Sequence, residues 1–405
     1  MKAVIIGNGV TGIAAATAMR RLSADADIAI LTREPYHYYY RPRLPDLVAG
    51  QVELGDVVVN SPDWYASRGI GVRLSARVAS IDPAGRVVVL DDGSAVAYDR
   101  LLIASGADPF VPPIDGADRG GVFTLRSADD ALAIREWAAS ASSAVVIGGG
   151  LLGLESARGL RAHGLSVNVL EYADRLLPRQ LDEAGARILR ADVAGRGIDV
   201  VTRARVAGIE GGDKVSAVAF EDGSTTAADL VVVSTGVRSA TAFLEGSGVE
   251  VEKGVKVGSD MQTSAPGVYA AGDVAEFEGI VWGIIPVALA QATVAARAIA
   301  GDEEAAYRAV APNTTLKMAG VDVFSAGLVS CEGDDCVEYT LADEEARLYR
   351  KAVVREGAIV GAIVVGSKKG VRELTAMVGR GAQVQAWGDA IVRDDFDFGA
   401  ALGTG

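Results

Sequence analysis

The chain opens on Lys2-Ala3-Val4-Ile5-Ile6, a short apolar and β-branched run that stops at Gly7, and continues from Ile13 to Leu22 through alanine-rich, proline-free helix formers. This pattern predicts a buried strand, a glycine turn and a helix. Ala144-Val145-Val146-Ile147, followed by Leu154 to His163, repeats the arrangement. Between strand and helix stand Gly7-Asn8-Gly9-Val10-Thr11-Gly12 in the first case and Gly148-Gly149-Gly150-Leu151-Leu152-Gly153 in the second. A G-x-G-x-x-G signature carries weight only with a strand before it and a helix after it, and both copies have them. Its glycines allow a tight turn, close approach of backbone to a pyrophosphate, and packing of helix on strand, with the positive helix end facing the phosphates. Two such copies predict two bound dinucleotides.

A second repeat supports a duplication. Asp91-Asp92-Gly93-Ser94, then Asp99 and Leu101-Leu102-Ile103-Ala104-Ser105-Gly106, recur 130 positions later as Glu221-Asp222-Gly223-Ser224, then Asp229 and Val231-Val232-Val233-Ser234-Thr235-Gly236. Each unit reads as a hairpin at Asp-Gly, an aspartate, a buried strand, and a small-residue turn. Beyond Gly236 the chain is expected to return to the first module, with Gly254–Val257 and Pro266–Asp273 as a strand pair and a helix from about Pro286 to Ala300. From about Asn313 short strands follow, at 315–318, 321–325, 348–355 and 359–365, with a last helix near Val371–Val378. The fold class expected is α/β, with two Rossmann-like dinucleotide-binding domains and a C-terminal α+β domain. The boundaries are 1–112 with 238–310, then 113–237, then 311–405.

The 405 residues are half hydrophobic and carry a net charge of -14 with pI near 4.8, which argues against nucleic acid or an anionic membrane as partner. No apolar stretch approaches about twenty residues and no signal-peptide pattern opens the chain, so a cytoplasmic location is expected.

In this order, the motifs resemble the two-dinucleotide flavoproteins of the glutathione reductase type, and within them NADH:rubredoxin oxidoreductases and the flavin domain of NADH-dependent nitrite reductases. Tyr40-Arg41-Pro42-Arg43-Leu44, Leu125–Ala131, Arg175–Asp182, Gly272–Phe277 and Leu316–Gly320 carry the resemblance, which covers essentially the whole chain. It implies FAD on the first fingerprint, at Gly7, Gly9, Thr11 and Gly12, with Glu34 on the adenosine ribose. Arg41 with Pro42, Ser105 with Gly106, and Arg126 would lie against the flavin nucleotide, Asp273 would accept from the ribityl chain, and the helix opening at Ile285 would face the isoalloxazine. NADH falls to the second fingerprint, at Gly148, Gly150, Leu151, Leu152 and Gly153, and to Gly236. Glu171, 18 residues past Gly153, suits the ribose hydroxyls of NADH and repels the extra phosphate of NADPH, a preference that Arg175 and Arg179 can soften. Glu155 resembles a family glutamate near the nicotinamide, where it would act in catalysis by orienting the carboxamide.

Disulfide reductases of this type carry two cysteines in the first domain, four residues apart. Here the matching stretch reads Pro35-Tyr36-His37-Tyr38-Tyr39-Tyr40-Arg41-Pro42, and no cysteine precedes Cys331. Thiol chemistry beside the flavin is excluded. Cys331 and Cys336 fall in a polar turn, open to solvent exposure, a redox disulfide or an adventitious metal, and His37 and His163 alone cannot assemble a histidine metal centre. Hydride transfer from nicotinamide to flavin, and electron exit to a small iron protein such as rubredoxin, is the function the resemblance implies. The other readings are an NADH oxidase reducing dioxygen and a nucleotide-gated binding protein resembling apoptosis-inducing factor. The four tyrosines 36, 38, 39 and 40 read as packing over the cofactor or as a rim for a partner, and Lys317, Lys368, Lys369 and Arg372 as positive charge for an acidic one. Monomer and homodimer both stay open.

Overall fold

The computed structural model describes residues 1–308, 321–399 and the backbone of 313–318. The chain forms two compact units, one of Met1–Arg43, Glu53–Asp108 and Val237–Val310, the other of Leu44–Val52, Pro109–Gly236 and Ala311–Gly405.

In the first unit the strand Lys2–Ile6 runs between Asp27–Leu31 and Arg100–Ile103 in a parallel five-stranded sheet, with Ile70–Arg73 and Val268–Ala270 at its edges. Strands covered on both faces need consecutive apolar residues. Val4, Ile5, Leu101, Leu102 and Ile103 supply them and are fully buried. One face is covered by helices Val10–Leu22 and Ile285–Ile299, whose buried Ala15, Ala16, Ala292, Ala295 and Ala296 let the two backbones approach. The other face shares a core with the antiparallel strands Val78–Asp82, Val87–Leu90 and Ala95–Ala97.

The second unit repeats this plan. Ser143–Ile147 lies between Ser166–Glu171 and Leu230–Val233, flanked by Ile198–Thr202 and Val122–Phe123, and all five run parallel. The strands Val206–Gly211, Val215–Phe220 and Thr225–Ala227 share a core with Val145, Ile147, Val231 and Val233. The duplication reaches individual side chains. Asp99 Oδ2 accepts the Lys2 N–H at 2.6 Å, and Asp229 Oδ2 accepts those of Ser142 and Ser143 at 2.9 and 3.0 Å, so each aspartate pins the entry of a fingerprint strand.

The expected pairing of Gly254–Val257 with Pro266–Asp273 is not formed. Val268–Ala270 is buried throughout and joins the large sheet beside Arg100–Ile103, where both its faces are covered. Val255–Lys256 pairs instead with Ala275–Glu276, held by the Glu276 carboxylate, which accepts the N–H groups of Lys253 and Gly254 at 2.8 and 3.0 Å.

The last segment of the second unit is an antiparallel sheet in the order Asn313–Met318, Val321–Gly327, Ala358–Val365, Leu348–Arg355, Cys336–Asp343, with helix Val371–Arg380 packed on one face. Glu356 and Gly357, both left-handed at φ 50° and 79°, make the tight turn between two of these strands. Ala319 and Gly320 of the Leu316–Gly320 motif lie outside the described residues. Among those described, no helix is long and apolar enough to cross a membrane.

Side chains alternate along Leu348–Arg355, so Tyr349 and Lys351 face the second-fingerprint portion. Lys351, 2 % exposed, places Nζ 2.9 Å from Asp182 Oδ2 and 2.8 Å from Glu338 Oε2, and the Tyr349 hydroxyl donates to Asp182 at 2.5 Å. Asp182 also caps helix Glu183–Gly195 by accepting the Gly185 N–H. Burial works to raise the Asp182 carboxyl, but Tyr349, the Gly185 amide and Lys351 together hold it below the ordinary carboxylate range. Its stabilising contribution is therefore present above the unfolded pKa of about 3.9 and is lost as pH falls through the lower folded value. Lys351→Met, which removes the cation from Asp182 and Glu338 but leaves Asp182 its Tyr349 and Gly185 donors, is expected to destabilise by about 1–3 kcal/mol in urea unfolding at neutral pH. The stability gap between the native chain and Asp182→Asn should narrow between pH 7 and pH 3, and a gap independent of pH would refute this account.

Candidate functional site

In the first unit the fingerprint turn is closed to any side chain. Gly7 stands at φ +114°, and a Cβ there would lie 2.1 Å from the Ala104 carbonyl oxygen, while a Cβ on Gly12 would lie 2.0 Å from that of Gly7. Only glycine fits. Helix Val10–Leu22 starts from Gly9 with no side-chain cap and no acidic residue in its first turn. Its leading N–H groups thus keep their positive character for an anion. Thr11 is buried against Gly272, where a Cβ would come within 2.3 Å of Oγ1, and the Gly272 N–H donates to Gln291 Oε1 at 2.9 Å. This contact fixes the turn that carries the half-buried Asp273, whose carbonyl accepts from the Ser239 hydroxyl at 3.0 Å. Ser105 and Gly106 follow the strand that faces Gly7, and both bond to Ala240. Helix Ile285–Ile299 has proline in its first turn and likewise no side-chain cap and no acid there.

Glu34 is held by two side chains, since the Tyr39 hydroxyl donates to Oε2 and Arg41 Nη2 to Oε1. The Arg41 guanidinium lies 5.2 Å from the Tyr39 ring centre and reaches over the fingerprint, with Nη1 3.0 Å from where a Gly9 side chain would start. Burial works against its charge, yet Tyr39, Glu34 and Asp273 outweigh it and raise its pKa. Pro42 is exposed within the single turn Arg41–Arg43. Of the four tyrosines, Tyr39 is buried, Tyr36 meets it edge-on, Tyr38 is half-buried and Tyr40 is exposed.

The second unit holds an equivalent cradle. Gly148 stands at φ +119°, 2.2 Å being left between its Cβ position and the Ser234 carbonyl oxygen, and helix Leu151–Arg161 begins at Gly150 without side-chain cap or acid. Leu151 is half-buried and Leu152 is exposed. Glu171 ends the neighbouring strand with its carboxylate on backbone amides, Oε2 to Gly149 N–H at 2.6 Å and Oε1 to Ala173 N–H at 2.7 Å. Gly236, at φ +112°, accepts the Phe110 N–H at 2.9 Å. Glu155 receives Arg158 Nε at 2.9 Å, and Arg158 also reaches Asp46 at 2.7 Å, so that both carboxylates overcome its burial and raise its pKa. Asp46 sits on the short helix Leu44–Val48, which packs so closely that a Cβ on Gly159 would lie 2.9 Å from the Pro45 carbonyl oxygen. Arg126 belongs to this unit, its N–H donating to Asp130 beside the Ser127 cap of helix Ala128–Ala138. Arg175 is fixed by Asp174 and by the carbonyls of Leu181 and Pro178.

Residues 1–298 match the family described as pyridine nucleotide-disulphide oxidoreductase. The chain belongs to that family. Residues 312–382 match the rubredoxin NAD+ reductase C-terminal domain. Across this pyridine nucleotide-disulphide oxidoreductase, 372 residues are 34% identical to the assimilatory nitrate reductase electron transfer subunit of Bacillus subtilis, covering 92% of this chain and 48% of that one. The NADH oxidase of Methanocaldococcus jannaschii is 31% identical over 93% of this chain and 90% of its own. The crystal structure of NADH:rubredoxin oxidoreductase from Clostridium acetobutylicum superposes with a TM-score of 0.77 at 27% identity, covering 99% of both chains. The chain spans about half the length of the Bacillus nitrate and nitrite reductase relatives it matches.

FAD and NAD(H), which this family uses, fit the two uncapped helix starts and the side-chain-free turns in front of them. Sequence reasoning passed over Gln291, and it read Tyr39 as packing or a partner rim rather than as the donor that holds Glu34. Gln291 is the one amide in the apolar run of helix Ile285–Ile299 and is 1 % exposed, a signal that it bonds to something inside. Lys368 and Lys369 lie near Asp322 and Asp394, which blunts the positive charge expected there, and the Lys317 side chain is outside the described residues. Cys331 and Cys336 are joined in a disulfide, and no group of His, Cys, Asp and Glu among the described residues is arranged to hold a metal.

Gly12→Val should yield protein depleted in bound FAD, read from the ratio of absorbance at the flavin band to that at the protein band. Gly153→Val should keep the flavin and lose NADH binding. Flavin content unchanged in the first variant would contradict the assignment of the first cradle.

Proposed function

We propose that the chain is an FAD-dependent oxidoreductase of the cytoplasm that oxidises NADH and reduces a small iron protein such as rubredoxin. The observation that carries this reading is the sulfur-free stretch Pro35–Pro42 beside the first fingerprint, since without a thiol pair there electrons have to leave from the flavin itself. The match of residues 312–382 to a rubredoxin reductase domain supports the choice of acceptor. FAD, when bound, accepts two electrons as hydride and can release them singly.

The protein's part is to bind and to orient. Residues 1–112 and 238–310 would hold FAD, with the Gly9 helix start on its phosphates, Glu34 on ribose, Arg41 on flavin nucleotide oxygens and Asp273 on the ribityl hydroxyls. Residues 113–237 would hold NADH, and 311–405 form the C-terminal α+β domain. Each Glu171 oxygen spends one lone pair on a backbone amide and keeps another for a ribose hydroxyl. Glu155, aligned by Arg158, would orient the nicotinamide carboxamide.

The likeness to an NADH oxidase favours dioxygen as a second reading. Anaerobic rapid mixing with NADH, then with rubredoxin or air, separates the two: fast bleaching and fast reoxidation by rubredoxin are expected, whereas fast reoxidation by air alone would favour the oxidase. Glu171→Arg should shift the NADH to NADPH ratio of kcat/KM towards NADPH by about tenfold or more. An unchanged ratio in steady-state kinetics would remove Glu171 from its role.

A further inference from the structure

We propose that Tyr172 and Arg205 form the seat for the adenine ring of the dinucleotide at the second cradle. This rests on the reading of that cradle as the NADH site. Tyr172 follows Glu171 directly and is 70 % exposed, an unusual display for a large aromatic ring. It is not loose. The Arg205 guanidinium carbon lies 3.7 Å from the ring centre, and Nη1 of the same arginine donates to the Tyr172 carbonyl at 3.2 Å, so one residue holds both the backbone and the ring.

The loop bearing Arg205 is itself tied to the end of the Glu171 strand. The Ala204 N–H donates to the Glu171 carbonyl at 2.9 Å and the Arg203 N–H to that of Ala173 at 2.8 Å. Carboxylate, aromatic ring and guanidinium are therefore one rigid set. Adenine and the ribose hydroxyls are carried by the same sugar, so a ligand whose hydroxyls reach Glu171 must lay its purine on the surface next to it. A π face braced by a cation is the chemistry that receives a purine, by stacking on the ring or on the guanidinium plane. On the Arg205 side, a groove of about 600 Å³ lined by Arg203, Arg205, Phe220, Glu221, Asp222 and Thr226 leaves room next to the guanidinium, and Tyr172 borders it only through Arg205.

The duplication shows that this stack is no by-product of the loop. Ser75-Ala76-Arg77-Val78-Ala79-Ser80-Ile81-Asp82 in the first unit matches Arg203-Ala204-Arg205-Val206-Ala207-Gly208-Ile209-Glu210, 128 positions on. Both loops place a non-glycine residue in the left-handed region, Ser75 at φ 51° and Arg203 at φ 56°, and make the same backbone bonds, Ser75 N–H to Glu34 and Ala76 N–H to Thr32. Yet Arg77 turns to Asp91 at 3.5 Å, whereas Arg205 lies on Tyr172. The shared backbone does not dictate the contact; the tyrosine does.

The test is calorimetric titration of the FAD-loaded protein with ADP-ribose and, separately, with reduced nicotinamide mononucleotide. Arg205→Ala and Tyr172→Ala are each expected to weaken ADP-ribose by about tenfold, with Tyr172→Phe close to the native value and the mononucleotide unaffected. The KM for NADH should rise in parallel. ADP-ribose affinity unchanged in both alanine variants overturns the seat, as does an equal loss of mononucleotide binding, because a ring seat acts on the adenosine half alone. Failure of the native protein to bind ADP-ribose overturns the NADH assignment, and the seat with it.

Discussion

The structure depends on the passage of a helix start against the end of a parallel strand, with no atom to spare between them. A side chain on Gly12 would stand 2.0 Å from the Gly7 carbonyl, and one on Gly153 would stand 2.0 Å from that of Gly148. This contact does two things at once. It locks helix to sheet, and it aims the first N–H groups of an uncapped helix at the space beyond the strand ends, where open α/β sheets bind ligands. Asp99 and Asp229 secure the opposite ends of the same strands through backbone N–H groups, and those bonds hold both carboxyls below their ordinary pKa. A strand pinned at one end by a carboxylate and at the other by a glycine contact keeps its turn in register.

What the sequence made legible is what short-range chemistry dictates. Glycines at fixed spacing, an Asp-Gly hairpin and an alanine-rich helix each need only their neighbours, and all appear where the pattern put them. Partners chosen across long separations were not legible. Val255–Lys256 pairs with Ala275–Glu276, while Val268–Ala270 joins the large sheet, a choice of partners no local pattern contains. Leu44–Val52 belongs to the second unit although the chain on both sides belongs to the first. The edge strand Cys336–Asp343 shows mostly exposed residues, so it has no apolar run to announce it. Spacing singled out Glu34 and Glu171 as candidates, but the groups that hold their carboxylates, Tyr39 and Arg41 for one and two backbone amides for the other, were not legible.

That difference in support separates the two cradles. Glu34 is gripped by Tyr39 and Arg41, side chains from the segment between the second strand of the sheet and the single turn Arg41–Arg43. Glu171 is gripped by the amides of Gly149 and Ala173, which the fingerprint and the strand end hold rigid. Side chains that wrap a site must be displaced before its contents leave, whereas amides of a fixed backbone need no rearrangement for entry or exit. A wrapped site suits a cofactor that stays through many turnovers. An open, preorganised one, with Tyr172 standing in solvent beside it, suits a nucleotide that arrives and departs in each. On the proposed assignment, the same duplicated fold serves as a holder in one unit and a docking place in the other, and the distinction lies in whether side chain or backbone fixes the acid.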